Sequence, residues 1–422
     1  MPMKSNLSAH RIEQDLQEIN RPARDPRGGI TRLSYSREHA EALLYLQREC
    51  HALGARCFLD EAGNFAARIE GTEPELPFFC LGSHLDSVKS GGELDGIAGV
   101  VIGLEVLRLL RESGTKLHHG VQLLGFVEEE GVLFKRGLLG SRFFCGEMTL
   151  EDLRKLSTDS GASWEDMAKD FCASLEPFMD GPFPKDAKNM AFFLEPHIEQ
   201  GPVLFERGIP LGVVSSITGT SMTNITFYGE ANHAGTTPMA TRKDPLRGLV
   251  HVGHFLEKRV ERVHSSAVGT IGHITLEPNV ANVIASRVSF TVDLRCVDKE
   301  ELLEMLQELE TCCYEGAAKF RLKVELFPGH RVMPLEMDAS LQKDLLAEAA
   351  SQGVRATSLP SGAGHDALSM GRLGRTGMLF IPSREGKSHC PEESSDYSHM
   401  GNAARIVWGM LQRQEEDLQK GT

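Results

Sequence analysis

Residues 76–130 read LPFFCLGSHLDSVKSGGELDGIAGVVIGLEVLRLLRESGTKLHHGVQLLGFVEEE, and their patterning decides the fold. LPFFCLGSHLD (76–86) is an apolar run that closes on polar residues. IAGVVIGLEVLRLLRESG (97–114) carries Val100, Val101, Leu104, Leu107 and Leu110 at helical spacing, with Gly114 as the stop. VQLLGFV (121–127) is again a short apolar run, followed at once by three glutamates. Strand, helix and strand in this order predict an α/β fold with a largely parallel sheet covered on both faces.

Working outward, residues 150–190 read as helices and irregular loops with little pattern. MAFFLEPHIE (190–199) is strand-like again. After Gly212 the pattern changes to strand SMTNITFYGE, helix DPLRGLVHVGHFLEKRVERV, strands VGTIGHITLE and SRVSFTVDLRC, helix KEELLEMLQELETCCYEGAAK and strand RLKVELF. This βαββαβ order describes a small, separate α+β unit. Beyond Met333 the strand–helix alternation resumes through LQKDLLAEAASQG, TGMLFIP and GNAARIVWGMLQR. The expected architecture is a catalytic domain built from residues 1–211 and 331–422, interrupted by an inserted α+β domain at 212–330.

Composition bounds the function. The 422 residues are 41% hydrophobic and 25% charged, as in a soluble globular protein, and too many for one ordinary core. A net charge of −14 argues against nucleic acid or an anionic membrane as partner, since both call for a concentrated positive face. No segment approaches the roughly 20 apolar residues of a membrane span, and the charged first twenty residues lack the apolar core of a signal peptide. Nine dispersed cysteines, none in a CxxC arrangement, read as reduced thiols and a cytoplasmic address.

Four segments end strand-like runs with metal-type residues: GSHLDSV (His84, Asp86), GGELDGIAG (Asp95), FVEEEG (Glu129, Glu130) and EPHIEQG (His197, Gln200). A fifth, GKSHCPEE (His389), lies just past TGMLFIP. Ligands of open α/β sheets bind at the carboxyl ends of strands, so the five segments converge if the fold is as expected. Imidazole and carboxylate donors suit zinc, cobalt or manganese, and a carboxylate such as Asp95 is able to bridge two ions. Asp86, two residues beyond His84 on an extended segment, is placed to orient its imidazole. Adjacent Glu129 and Glu130 point to different sides, so that one binds metal while the other handles a proton. A glutamate run is more often a solvated face, and a single histidine at a strand end is more often a surface residue. Five glycine-flanked segments at expected strand ends tip the balance to a metal site.

The motifs GSHLDSV with GGELDG, EEEG followed by LLGSR, HIEQGPVL, NHAGTTPM, NVIASRVSFTVDLR, and GAGHDALSMG with SHCPEE resemble the hydantoinase/carbamoylase family of amidases. These are relatives of the dinuclear aminoacylases and carboxypeptidases, and include N-carbamoyl-L-amino acid hydrolases, allantoate amidohydrolases and β-ureidopropionases. The resemblance runs from ITRLSYS to the C-terminal helix. It implies two divalent ions (zinc, manganese or cobalt), one held by His84, Asp95 and His197, the other by Asp95, Glu130 and His389. It further implies Glu129 as the general base and Gln200 facing the substrate. His233 of NHAGTTPM would stabilise the oxyanion, and Asn282 and Arg295 would hold the substrate carboxylate, a task suited to a guanidinium fork. The inserted domain would be lid and dimerisation domain of a homodimer, and the substrate a small anionic ureido acid.

Two departures from the family pattern matter, and the first favours an N-carbamoyl amino acid over allantoate. Allantoate-hydrolysing members carry an arginine soon after the lid-hinge glycine, where this chain reads SITGTSMTN, with Ser221 at about the corresponding place. GVLFKRG also replaces the usual Ser-Arg-Phe after the glutamates. The expected activity is cleavage of an N-carbamoyl-L-amino acid to amino acid, ammonia and carbon dioxide. Allantoate, ureidoglycolate or β-ureidopropionate is the alternative, and a binding protein without turnover is disfavoured because every expected ligand and Glu129 are present.

Overall fold

Phe78–His84 and Val121–Phe126, the two apolar runs of the opening stretch, are neighbouring parallel strands, paired from Phe79 opposite Val121 to His84 opposite Phe126. Every residue of both is buried. Successive strand residues face opposite sides, so complete burial means that both faces of the sheet are covered. The computed structural model describes residues 2–263 and 267–420, and side chains within 7–263, 267–329 and 331–416.

The middle of the larger sheet is parallel: Val121–Phe126, Phe78–His84, Met190–Ile198 and Thr376–Ile381 lie in that order. Antiparallel strands flank it, Phe65–Ile69 and Arg56–Leu59 on one side and Leu211–Ile217 on the other. The helix Ile97–Ser113 packs on the parallel strands and is covered in turn by the helices Pro2–Asn20 and Tyr397–Lys420. Its near-total burial explains its largely apolar sequence, and its buried Glu105 and Arg108 are paired with Ser8 and Asp15 of the covering helix. This is the mixed α/β fold with a mostly parallel central sheet that the sequence implied.

By compactness the chain forms two units, Met1–Ser215 with Met337–Thr422, and Ser216–Glu336. The smaller unit runs strand Gly219–Tyr228, helix Pro245–Arg262, strands Ala267–Glu277 and Arg287–Cys296, helix Lys299–Phe320 and strand Lys323–Val332. Its strands form an antiparallel sheet in which Ala267–Glu277 is an edge. Strict alternation in Arg287–Cys296 puts Val288, Phe290, Val292, Leu294 and Cys296 into its own core. All nine cysteines are free thiols, and among the described residues no helix is long and apolar enough to cross a membrane.

Candidate metal centre

The carboxyl ends of the four parallel strands deliver the residues singled out above. His84 is the last residue of its strand, Glu128, Glu129 and Glu130 follow Phe126, and His197 stands one residue before the end of Met190–Ile198. His389 follows Thr376–Ile381, and Asp95 sits in the turn before the helix Ile97–Ser113. Gly96 makes that turn possible. Its φ of +66° is in the left-handed region, and a Cβ there would lie 2.3 Å from Cε1 of His84.

Two clusters meet at Asp95. Its Oδ1 lies 3.5 Å from His84 Nε2 and 3.3 Å from His197 Nε2, and the two imidazole nitrogens are 3.5 Å apart. Its Oδ2 lies 3.2 Å from His389 Nε2, which is 3.4 Å from Glu130 Oε1. A third grouping joins His84 with Glu129 and Glu130, with Glu129 Oε2 3.8 Å from His84 Nε2.

These separations fit divalent cations. Ligand atoms 2.0–2.1 Å from a tetrahedral ion stand roughly 3.3–3.4 Å from one another. Nδ1 of His84 is 3.0 Å from the Asp86 carbonyl and Nδ1 of His197 is 2.9 Å from the Ile198 carbonyl. In the neutral rings those contacts put the protons on Nδ1 and leave both Nε2 lone pairs facing Asp95. Asp95 Oδ1 and Glu130 Oε1 are buried without a hydrogen-bond partner. Converging lone pairs and unpartnered carboxylate oxygens are satisfied together by a positive ion.

Electrostatics agree. Burial, joined by repulsion from Asp95, pushes Glu130 up to about 7. Burial, with Glu130, Asp366 and Asp86 nearby, pushes Glu129 well above the usual carboxylate range against the pull of His84. At His84 burial opposes the imidazolium, but Glu129, Asp95 and Asp86 outweigh it and the pKa rises well above the ordinary value. Burial also works against the Asp95 carboxylate, but the imidazoles of His197, His389 and His84 beside it hold it well below the ordinary range. The pocket is built to hold positive charge.

Asp86 acts differently from the orienting carboxylate expected of it. The His84 ring is held by the Asp86 carbonyl, while the nearer carboxylate oxygen is 3.7 Å from Nδ1. The carboxylate instead accepts the backbone amides of Glu129 at 3.1 Å and Glu130 at 3.2 Å, one on each oxygen, and so fixes the glutamate loop. Gln200 donates its amide to Asp95 Oδ2 at 2.8 Å, leaving Oε1 buried as an unpartnered acceptor.

Several neighbours were not singled out in the sequence. Glu128 accepts the amides of Leu133 and Phe134, tying down GVLFKRG, at 2.7 and 3.1 Å. His365, of the GAGHDALSMG motif, packs edge-on against His197 with ring centroids 4.5 Å apart, and burial holds its pKa well below the ordinary value. The signal was there: a glycine-flanked His-Asp pair like the other site segments.

The remaining candidates lie in the smaller unit. His233 and Asn282 are neighbours there, since His233 pairs with Val283 and the Asn282 carbonyl accepts the Ala234 amide at 3.0 Å. His233 Nδ1 accepts the amides of Gly235 and Thr236 at 3.1 and 3.2 Å, so a neutral ring carries its proton on Nε2. Arg295 lies on the antiparallel sheet and donates to Asp293 at 3.1 Å. Ser221 pairs with Leu294 and is buried on the helix-packed face, opposite to Arg295. On the strand Gly219–Tyr228 the residues nearest Arg295 on its face are Thr220 and Met222, and neither is basic; the basic side chain beside Ser221 is Arg331, whose Nε lies 3.4 Å from Ser221 Oγ.

An α/β sheet with paired histidine–carboxylate clusters at its strand ends defines a hydrolase scaffold, and comparisons give its lineage. The model of peptidase family M20/M25/M40 matches residues 80–413, and the chain belongs to that family. An N-carbamoyl-L-amino-acid amidohydrolase of Paenarthrobacter aurescens is 36% identical over 402 residues, 94% of this chain and 96% of the relative. An allantoate amidohydrolase of Bacillus subtilis (strain 168) is 33% identical over 385 residues, 91% of this chain and 92% of the relative. The crystal structure of a hydantoinase/carbamoylase family amidase from Burkholderia multivorans superposes with a TM-score of 0.88 at 30% identity, covering 96% of this chain and 97% of that one. The chain is an amidohydrolase, acting on carbon–nitrogen bonds other than peptide bonds.

Proposed function

We propose that the chain hydrolyses the carbamoyl group of an N-carbamoyl-L-amino acid. One water is consumed, the ureido carbonyl leaves as carbon dioxide, and its two nitrogens leave as ammonia and the free amino acid. The observation that carries this reading is Asp95, which offers one oxygen to the His84–His197 cluster and the other to the Glu130–His389 cluster. Those five residues would hold two divalent ions, zinc, manganese or cobalt, which supply Lewis acidity and lower the pKa of water. Glu129, beside both clusters and kept basic enough by burial, takes the proton of the attacking water and returns it to the leaving nitrogen. Gln200 Oε1 accepts an N–H of the ureido group.

The smaller unit is read as lid and dimerisation domain. His233, with its proton on Nε2, donates to the developing oxyanion, and Asn282 and Arg295 hold the substrate carboxylate. The long edge strand Ala267–Glu277, with Val268 57% and Ile274 51% exposed, supports a homodimer, because such an edge is open to pairing with a second copy. Nine free thiols support a cytoplasmic setting.

The substrate choice rests on Thr220 and Met222, which offer a second polar substrate arm no basic side chain from the strand Gly219–Tyr228. Allantoate stands as the second reading because of the similarity to an allantoate amidohydrolase. Ammonia release from N-carbamoyl-L-amino acids, β-ureidopropionate, ureidoglycolate and allantoate, on chelated enzyme given manganese, cobalt or zinc, tests it. A higher kcat/KM for allantoate than for every carbamoyl amino acid would reverse the assignment.

A further inference from the structure

The Asp95 turn and the His389 loop are far apart in sequence, yet one side chain touches both. Glu393, buried in SHCPEE, accepts the amides of Leu94 at 2.9 Å and Asp95 at 3.1 Å on Oε1. Its Oε2 accepts the Ser388 hydroxyl at 2.8 Å and the His389 amide at 3.3 Å. Ser388 Oγ also lies 2.7 Å from Asp95 Oδ2, closing a ring of contacts around the bridging carboxylate. Space for the glutamate comes from Gly92, where a Cβ would lie 1.9 Å from Glu393 Oε1. Two carboxylate oxygens facing three backbone amides, and a Ser388 hydroxyl whose single hydrogen is shared with Asp95, form a clamp that a neutral amide cannot copy, since its NH2 would face donors on one side.

We infer that Glu393 is a positioning residue for the Glu130–His389 ion. It sets the distance between Asp95 and His389 by binding the backbone on either side, and Gly92 is the vacancy that admits it. Supports of this kind around metal ligands carry about 10- to 100-fold in metal affinity. The inference rests on the two-ion reading above.

The test is zinc binding by the full chain, stripped with chelator and titrated with zinc alone in competition with a chromophoric chelator. Wild type should hold two zinc ions. Glu393→Gln should hold one with unchanged affinity and the other about 10- to 100-fold more weakly. Excess zinc should restore kcat to the variant with no change in KM. Equal affinity for both ions in wild type and variant overturns the role of Glu393 while leaving two ions in place. Fewer than two ions on wild type overturns the two-ion reading itself, and the clamp with it. If Glu393→Gln unfolds, Gly92→Ala decides: the same selective loss supports the clamp, and wild-type affinities refute it.

Discussion

Asp95 Oδ2 lies 3.2 Å from His389 Nε2, and this contact makes one carboxylate serve two clusters, because Oδ1 is already turned to His84 and His197. The expected metal content is therefore about two ions per chain after reconstitution and desalting. His389→Ala should lower it to about one. Full activity with one ion or none would remove the two-ion reading.

Glu129 and Glu130 are adjacent but should answer differently to the same change. Glu129→Gln should keep both ions and lose about 10²-fold or more in kcat, the scale of a proton-transfer group. Glu130→Gln should lose metal. The opposite pattern would exchange the two roles.

Residues of the smaller unit should separate by kinetic parameter. Arg295→Ala is expected to raise KM, since it weakens a contact present in the ground state, and His233→Ala to lower kcat, since its contact strengthens in the transition state. Neither should release metal. Mixing inactive Glu129→Gln with inactive His233→Ala chains reports whether the lid serves its own site or its partner's: recovered ammonia release means the partner's, continued silence its own.

His39 predicts how the fold responds to acid. Burial, with Arg32 nearby, holds its pKa at about 3 against an ordinary 6.5. The unfolded chain takes up a proton that the folded chain refuses, so stability is lost as pH falls from 6.5 towards 3. By pH 5 the loss is about 2 kcal/mol, at about 1.4 kcal/mol per pH unit. His39→Asn keeps an acceptor for the Tyr35 amide and cannot be protonated. Its Tm should fall less than that of wild type between pH 8 and pH 5. Parallel falls would show that His39 is not the sensor.

The central sheet was legible because a strand buried on both faces must be apolar throughout, and Phe78–His84 and Val121–Phe126 are. The metal candidates were legible for a related reason: polar residues that stop such strands need a purpose at the sheet edge. Contacts set by backbone were not legible. Nothing in sequence spacing says that Asp86 would hold His84 by its carbonyl and spend its carboxylate on two amides. Nor does an EEE run show that Glu128 turns back onto Leu133 and Phe134 while its neighbours face the ions' place. The face of Ser221 depended on strand register, which a pattern with serines and threonines on both sides leaves open.

Glu128, Gln200 and His389 share a backbone feature: φ near +57° in each, a left-handed conformation that side chains resist and glycine accepts freely. At Gln200 and His389 the residue best for the backbone is not the residue the site uses, whereas at Glu128 the side chain repays the strain by holding the amides of Leu133 and Phe134. A screen that rewarded only heat resistance would drift toward glycine at His389 and Gln200, and would select the chemistry away while improving the scaffold. Engineering of this enzyme for durability is therefore best confined to positions outside these three turns.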